Sequence, residues 1–366
     1  MNTVHAEAEH GIVHRFQNSL FCYEGWPSVA IDENGTLYAV SSAFRVGHVC
    51  PFGKTAMYIS RDGGKKWTPP IVINDTCMDD RDAGILYMGN GRMLVTWFTH
   101  SKECYRDEYG SELIGAHVLP TAKNAAMSLI KDWENWNGDE IRGGSYVRVS
   151  EDYGVTWSDV IKVPVTAPHG PCLCRDGSLA YLGTEHYTYG ELPKKANALY
   201  KSFDGGYTWE RTGMIENPEW LPEGGYLCEP HVIDLPDGRL LGAFRVERPN
   251  VNFAVAFTES TDGGKTWSPV VDSGVNGSPP HLMLHSSGTL VCSYGYRTRP
   301  HGEHAIISRD LGKTWDAEYI FEDACGMWDH GYPCTVEMPD GSLFSVYYRR
   351  AEGDDYCSLH YTHWKL

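Results

Sequence analysis

Six times along the chain a short apolar run, rich in β-branched and aromatic residues, is interrupted by a turn containing glycine and resumes as a second apolar run. The segments are PSVAIDENGTLYAV around Gly35, AGILYMGNGRMLVTWF around Gly91, GPCLCRDGSLAYLG around Gly177, EPHVIDLPDGRLLGAF around Gly238, PPHLMLHSSGTLVCSY around Gly288 and YPCTVEMPDGSLFSVYY around Gly341. Runs of strand length joined through Asn-Gly, Asp-Gly or Ser-Gly predict six β-hairpins.

A second pattern, Ser-x-Asp-x-Gly-x-x-Trp, runs in phase with the first at Ser60–Trp67, Ser150–Trp157, Ser202–Trp209, Ser260–Trp267 and Ser308–Trp315. Its Asp can accept bonds from nearby backbone N–H groups, its Gly can take positive φ and its Trp can cover the turn, so it predicts a structural turn between two further strands. The interval from the glycine turn to the serine is about the same in four units. Four antiparallel strands repeated six times predict an all-β, six-bladed propeller. The sixth unit, from Tyr332, reaches Leu366 without a Ser-x-Asp turn. Its outer strand is expected from the N-terminal segment around Gly11 to Phe16, which would close the ring.

A closed ring is one cooperative unit, so residues 1–366 are read as a single domain despite their length. The second unit carries an insertion between residues 100 and 145. Within it Ala122 to Trp136 place Ala126, Leu129, Ile130, Trp133 and Trp136 at helical spacing, predicting a short helix that is either a lid over the ring or a contact for a homo-oligomer.

Formal charge is −17, which disfavours nucleic acid or an anionic membrane surface as partner. Apolar stretches are too short to span a bilayer, and the first residues lack the basic and apolar regions of a secretion signal, so a cytoplasmic location is expected. The eleven cysteines are odd in number and scattered, which fits free thiols in a reducing compartment. Histidines come from different units without a recognised ligand spacing, so neither metal nor cofactor is expected.

First-strand starts and second-strand ends of such blades share one pole, and the glycine turns and tryptophan motifs lie at the other. Loops held by a rigid ring commonly carry function. Although the chain is acidic, the first pole gathers Trp26, Arg45, His48, Arg81, His169, His231, Arg245, His281 and Arg297, with Asp80, Asp82, Glu229 and Tyr332. Arginine forks suit a carboxylate and aromatic faces suit a sugar ring, so an oligosaccharide or glycoconjugate with an anionic sugar is the expected partner.

The repeats resemble those of the sialidase superfamily, whose catalytic domain is a six-bladed propeller, and the resemblance covers nearly the whole chain. It implies a Tyr nucleophile and a Glu partner, placed at Tyr332 and Glu229, an exception to the two-carboxylate scheme of most glycosidases. It places two carboxylate-gripping arginines at Arg245 and Arg297. The first arginine of the family's Arg-Ile-Pro stretch is replaced, since Gly25-Trp26-Pro27 stands there, and Arg81 or Arg45 would have to substitute in space. The family's loop Asp is absent from Ala43 to Lys54, leaving His48, Asp80 or Asp82 as general acid. Asp82 beside Arg81 is expected to be ionised unless burial raises it.

The leading expectation is an exo-acting glycosidase on a terminal sialic, nonulosonic or uronic acid. A uronate lyase using Tyr332 or His48 as base and a non-catalytic carbohydrate-binding propeller are the alternatives.

Overall fold

The computed structural model describes residues 1–17, 19–107, 120–136, 138–185, 196–249 and 253–366. Six antiparallel sheets follow one another in chain order as blades. Blade I runs from Tyr23–Ile31 through Leu37–Arg45 and Lys54–Ser60 to Ile71–Asn74, and blade II from Arg81–Gly89 through Arg92–Thr99 and Gly144–Ser150 to Ile161–Val163. Blade III begins at Cys172–Leu173, blade IV at Tyr226–Asp234, blade V at Pro280–Leu284 and blade VI at His330–Glu337.

The ring closes as the hairpin count requires. Ala8–His14 pairs antiparallel with Ser358–Trp364 and becomes the outer strand of blade VI, three residues earlier than the expected Gly11 start. Asn2–His5 was not anticipated from the sequence: it adds to blade V as a fifth strand, parallel to Ala317–Glu322. It is short and wholly exposed, so no apolar alternation marks it.

The serine and aspartate bonds are the same in all five Ser-x-Asp turns, and the tryptophan bond recurs at Trp67, Trp209 and Trp267. In the first, Ser60 Oγ donates to Asp62 Oδ1 at 3.0 Å and accepts from Gly64 N at 2.9 Å, while Lys66 N donates to Asp62 at 2.9 Å. Trp67 Nε1 returns to Gly64 O at 2.9 Å, and the outer strand of blade I starts only at Ile71. That tryptophan therefore caps the turn, as its place in the pattern predicts, and stands ahead of the fourth strand.

Buried apolar clusters fill the seams between blades. Val29, Leu37 and Ala56 pack with Phe344 and Val346 across the seam of blades VI and I. Ala198 and Leu179 pack with Val147 and Leu94 across that of blades III and II. Of the insertion between residues 100 and 145, residues 108–119 and 137 lie outside the described part. The remainder holds the helices Lys102–Asp107 and Pro120–Trp133, the second close to the expected one. Trp133 is buried against this chain's own Tyr105, Met78 and Ile141, and its Nε1 donates to Cys77 O at 3.1 Å. The insertion is thus docked on the connection from blade I to blade II. Among the described residues no helix is long and apolar enough to cross a membrane.

Candidate active site

Four first strands break register near their starts, and at each break stands a non-glycine residue with positive φ. They are Trp26 (52°) in blade I, Asp82 (50°) in blade II, Glu229 (46°) in blade IV and Tyr332 (57°) in blade VI. Left-handed backbone at such residues costs on the order of 1–3 kcal/mol and persists where the surroundings over-determine it, often at functional sites. A bulge re-aims a side chain, and here the four converge around the axis. The Trp26 and Tyr332 rings are 6.5 Å apart, and Asp82 interacts electrostatically with both Glu229 and Tyr332.

The Tyr332 hydroxyl donates to Glu229 Oε1 at 2.6 Å. Arg245 Nη1 donates to Glu229 Oε2 at 2.8 Å and stands 3.4 Å from the Tyr332 oxygen, while its Nη2 is held by Glu247. Burial, and then the Glu229 charge, push the Tyr332 phenol well above its usual range, with Arg245 opposing them. The phenol is therefore protonated at rest, yet it touches a carboxylate that can take the proton and lies beside a cation that can stabilise the phenolate. That is the arrangement an activated oxygen nucleophile needs. Arg297 completes this side: Nη1 donates to Trp328 O at 3.0 Å, and Cζ lies 5.9 Å from the Tyr332 ring centroid. Gly331 permits the approach, because a Cβ there would come within 3.0 Å of the Arg297 guanidinium and its φ is 115°.

Asp82 is 6% exposed, and its Oδ1 has no hydrogen-bond partner among the described residues. Burial raises its carboxyl to about 7, Arg81 opposes the rise and Glu229 adds to it. Asp82 and Glu229 line a cavity of about 50 Å³ together with Phe98, Thr166, Pro168 and Thr184. Asp80 is placed differently. It accepts from Thr76 Oγ1 at 2.7 Å, Thr76 N at 3.1 Å and Asn74 Nδ2 at 3.0 Å, which ties it into the loop between blades.

Arg45 and Arg81 are gathered by a residue that the sequence pattern did not single out, Asp79. Arg45 is wholly buried, with Nη2 2.9 Å from Asp79 Oδ2 and Nη1 also bound to Asp79. Arg81 Nη1 reaches the same carboxylate at 3.3 Å, and both guanidiniums donate to His48 O. Trp26 lies against the pair, its ring centroid 4.7 Å from Arg45 Cζ and 4.3 Å from Arg81 Cζ.

His48 Nδ1 is 2.9 Å from Asp329 Oδ1, and its ring meets Trp26 at 5.0 Å and Trp328 at 5.7 Å. Tyr23 and Tyr348 also donate to Asp329, at 3.1 and 3.0 Å. Burial alone would raise the Asp329 carboxyl, but His48 and these hydroxyls outweigh it and bring it down to about 2. Tyr23 and Tyr348 fill the region next to Gly25, where a Cβ would already sit 3.2 Å from Tyr23 and 3.6 Å from Tyr348.

One layer beneath Tyr332 the three expected histidines meet. Ring centroids are 5.0 Å apart for His169 and His281 and 4.5 Å for His231 and His281. His169 Nδ1 is 3.1 Å from Ser28 Oγ, Leu282 N donates to His231 Nδ1 at 3.0 Å, and His281 Nε2 lies 3.3 Å from Cys334 Sγ. Burial depresses all three, His231 to about 3. At neutral pH they form an uncharged polar floor and do not supply positive charge. Gly84 opens the space for them, since a Cβ there would lie 2.6–2.8 Å from the His169–Gly170 backbone.

The signal that would have grouped the axial residues was present in the chain. Trp26, Glu229 and Tyr332 each precede a proline at the start of a first strand, as does Gly170 in blade III. Proline biases the residue before it away from the ordinary helical region and suits a bulge.

Six blades, five of four strands and one of five, with this polar, arginine-flanked axial mouth define a sialidase-like propeller. More particularly, the chain belongs to the BNR repeat-like domain family, whose model matches residues 55–344. It is similar to a protein of unknown function from Dyadobacter fermentans, with 21% identity, 98% of each chain covered and a TM-score of 0.75. It is also similar to the NanB sialidase of Streptococcus pneumoniae, with 13% identity, 97% and 70% covered and a TM-score of 0.69. Among curated proteins it is 26% identical over 312 residues to the xyloglucanase Xgh74A of Acetivibrio thermocellus. That match takes in 76% of this chain but only 33% of the relative, so the chain spans about a third of that protein's length.

Proposed function

We propose that the protein is an exo-acting glycoside hydrolase that removes a terminal anionic sugar, a sialic acid or a related nonulosonic or uronic acid. The observation that carries this reading is the 2.6 Å bond between Tyr332 and Glu229 beneath Arg245. In the reaction Glu229 takes the phenolic proton as Tyr332 Oη attacks the anomeric carbon, and the bond to the leaving oxygen breaks. Asp82, held half-protonated near neutrality, gives its proton to that oxygen. Water then displaces Tyr332 from the glycosyl-enzyme, with Asp82 as base and Glu229 returning the proton. Arg245 and Arg297 bind the sugar carboxylate. Arg81 supports them through Trp26, and Arg45, fully enclosed, positions the His48 loop. His169, His231 and His281 floor the pocket.

A second reading has its own supporting observation. His48 is 37% exposed at its side chain and is oriented through Nδ1 by an ionised Asp329, so its other nitrogen could abstract the C5 proton of a uronate in a lyase. Incubation with sialyl and uronyl oligosaccharides decides between them. New reducing ends without ultraviolet absorbance of an unsaturated uronate support the hydrolase, and absorbance supports the lyase. Binding without either change would overturn both in favour of a non-catalytic lectin-like propeller.

A further inference from the structure

Outside the axial pocket, three side chains with different metal-ligating atoms are buried together at the seam of blades V and VI. Glu303 stands on the third strand of blade V, Cys325 on the connection that follows, and His330 at the start of blade VI. Cys325 and the Glu303 and His330 side chains are wholly inaccessible, and their ligating atoms all lie within 4.8 Å of one another. Glu303 Oε1 is 2.8 Å from His330 Nδ1 and 3.6 Å from Cys325 Sγ. A tetrahedral ion with bonds of about 2.0–2.3 Å sets its ligands roughly 3.3–3.8 Å apart, so adjustments of less than about 1 Å would seat one.

Two features separate this cluster from an ordinary buried hydrogen bond. The second carboxylate oxygen, Glu303 Oε2, is buried with no partner among the described residues, an expensive state unless a cation or donor meets it. The cluster also lies beside open space. A groove of about 980 Å³ is lined by the flanking Ala324 and Gly326 and by His301, whose ring is 5.5 Å from that of His330.

We propose that Glu303, Cys325 and His330 form a structural zinc site that clamps blade V to blade VI. Zn²⁺ is the cation that this mixed oxygen, sulfur and nitrogen set fits best. Binding releases the thiol proton and any proton on Glu303, so the dication is balanced by its two anionic ligands, while Arg297 and Arg349, whose charges also reach Glu303, stand outside the ligand set. His301 is the further donor close by on the groove side. Because His330 precedes Tyr332 by two residues, the ion would fix the backbone that carries Tyr332 without touching substrate.

The test uses the full chain with no histidine tag, stripped with a chelator and titrated with Zn²⁺ and then Co²⁺. A single zinc ion per chain, a rise in Tm on zinc addition and a thiolate-to-cobalt charge-transfer band are expected. Cys325→Ser, nearly isosteric, should remove the band, and Glu303→Gln should weaken zinc at least about a hundredfold, beyond the ~10–100-fold typical of outer partners. Failure of the unsubstituted protein to retain zinc or raise its Tm would overturn the proposal. So would a cobalt band that survives in Cys325→Ser, which would place the ion on other thiols. His301→Ala should weaken zinc less than Glu303→Gln, and the reverse order, with Glu303→Gln binding zinc as the unsubstituted protein does, would overturn the assignment of Glu303 as a ligand.

Discussion

The two poles of the ring are built from the same strands on opposite principles. At one, five turns repeat the same residues with the same hydrogen bonds. Ser60, Ser150, Ser202, Ser260 and Ser308 each accept from a glycine N–H four residues on, at 2.8–2.9 Å. At the other, the same strand position carries Trp26, Asp82, Glu229 and Tyr332 in the same left-handed backbone, and no two side chains are alike. Repetition of side chains marks what holds the ring together. Repetition of backbone with divergent side chains marks where the proposed chemistry would sit. The buried Asp82 carboxyl, the Tyr332–Glu229 bond and the Arg245 ion pairs would each be a liability in a purely structural seam, because buried polar groups there cost more than apolar packing.

The largest expected effect breaks the divergent pole alone. Tyr332→Phe and Glu229→Gln should each lower kcat by about 10³-fold or more, since acid–base partners typically contribute ~10²–10⁴-fold and a nucleophile is lost as well. Circular dichroism and Tm should change little, since both replacements keep shape. Steady-state rates on a sialyl or uronyl substrate are the measurement, and wild-type rates in either variant would refute the nucleophile and base roles of this pair.

Asp82 comes next and can be read in two ways. As the acid it must be protonated, so kcat/KM should fall as pH rises past about 7, the value to which burial lifts its carboxyl. Asp82→Asn should remove that limb and cost about 10²-fold or more on natural leaving groups, with far less loss on aryl glycosides whose leaving oxygen needs no proton. A limb that persists in Asp82→Asn would hand the role to His48. Stability gives the second reading, with an opposite sign. The folded pKa is raised from 3.8 to about 7, so the folded state binds the proton more tightly. The penalty for ionising it is absent below about pH 4, grows as pH climbs towards 7 and is complete above. Asp82→Asn should therefore stabilise the fold at pH 8, by at most a few kcal/mol at about 1.4 kcal/mol per pKa unit and read as a higher Tm, and leave stability unchanged in acid. Less stability at pH 8 than wild type would mean that the carboxylate has a partner there.

Legibility in the sequence follows the same division. Glycine hairpins and Ser-x-Asp turns are local, each set by residues within eight positions of one another, so blade number, ring closure and the pole at which the arginines, histidines and Tyr332 gather were readable. Asn2–His5 was not, because an exposed parallel edge strand needs no apolar pattern. At the site, single residues could be placed on the pole but their partners could not. Asp79, which gathers Arg45 and Arg81, and Asp329, which gathers His48, Tyr23 and Tyr348, act across as many as 306 positions of sequence. His169, His231 and His281 were placed on the pole as substrate contacts, and only packing shows that they lie a layer below Tyr332 and are neutral. Burial is a property of the assembled ring.

The smallest effect is expected at the repeated pole, and it should be one of stability only. Ser202 Oγ accepts from Gly206 N at 2.8 Å and donates to Asp204 Oδ1 at 2.8 Å. Ser202→Ala leaves the buried Gly206 N–H unanswered, a loss of about 1–3 kcal/mol, which in a chain of this size lowers Tm by roughly 1–5 °C. The same replacement at Ser260 should add to it independently, because separate turns share no partners. kcat/KM and its pH profile should match the wild type in both variants. A change in kcat without unfolding would show that strain passes through the blades from one pole to the other, and the separation between scaffold turns and axial chemistry would then have to be abandoned.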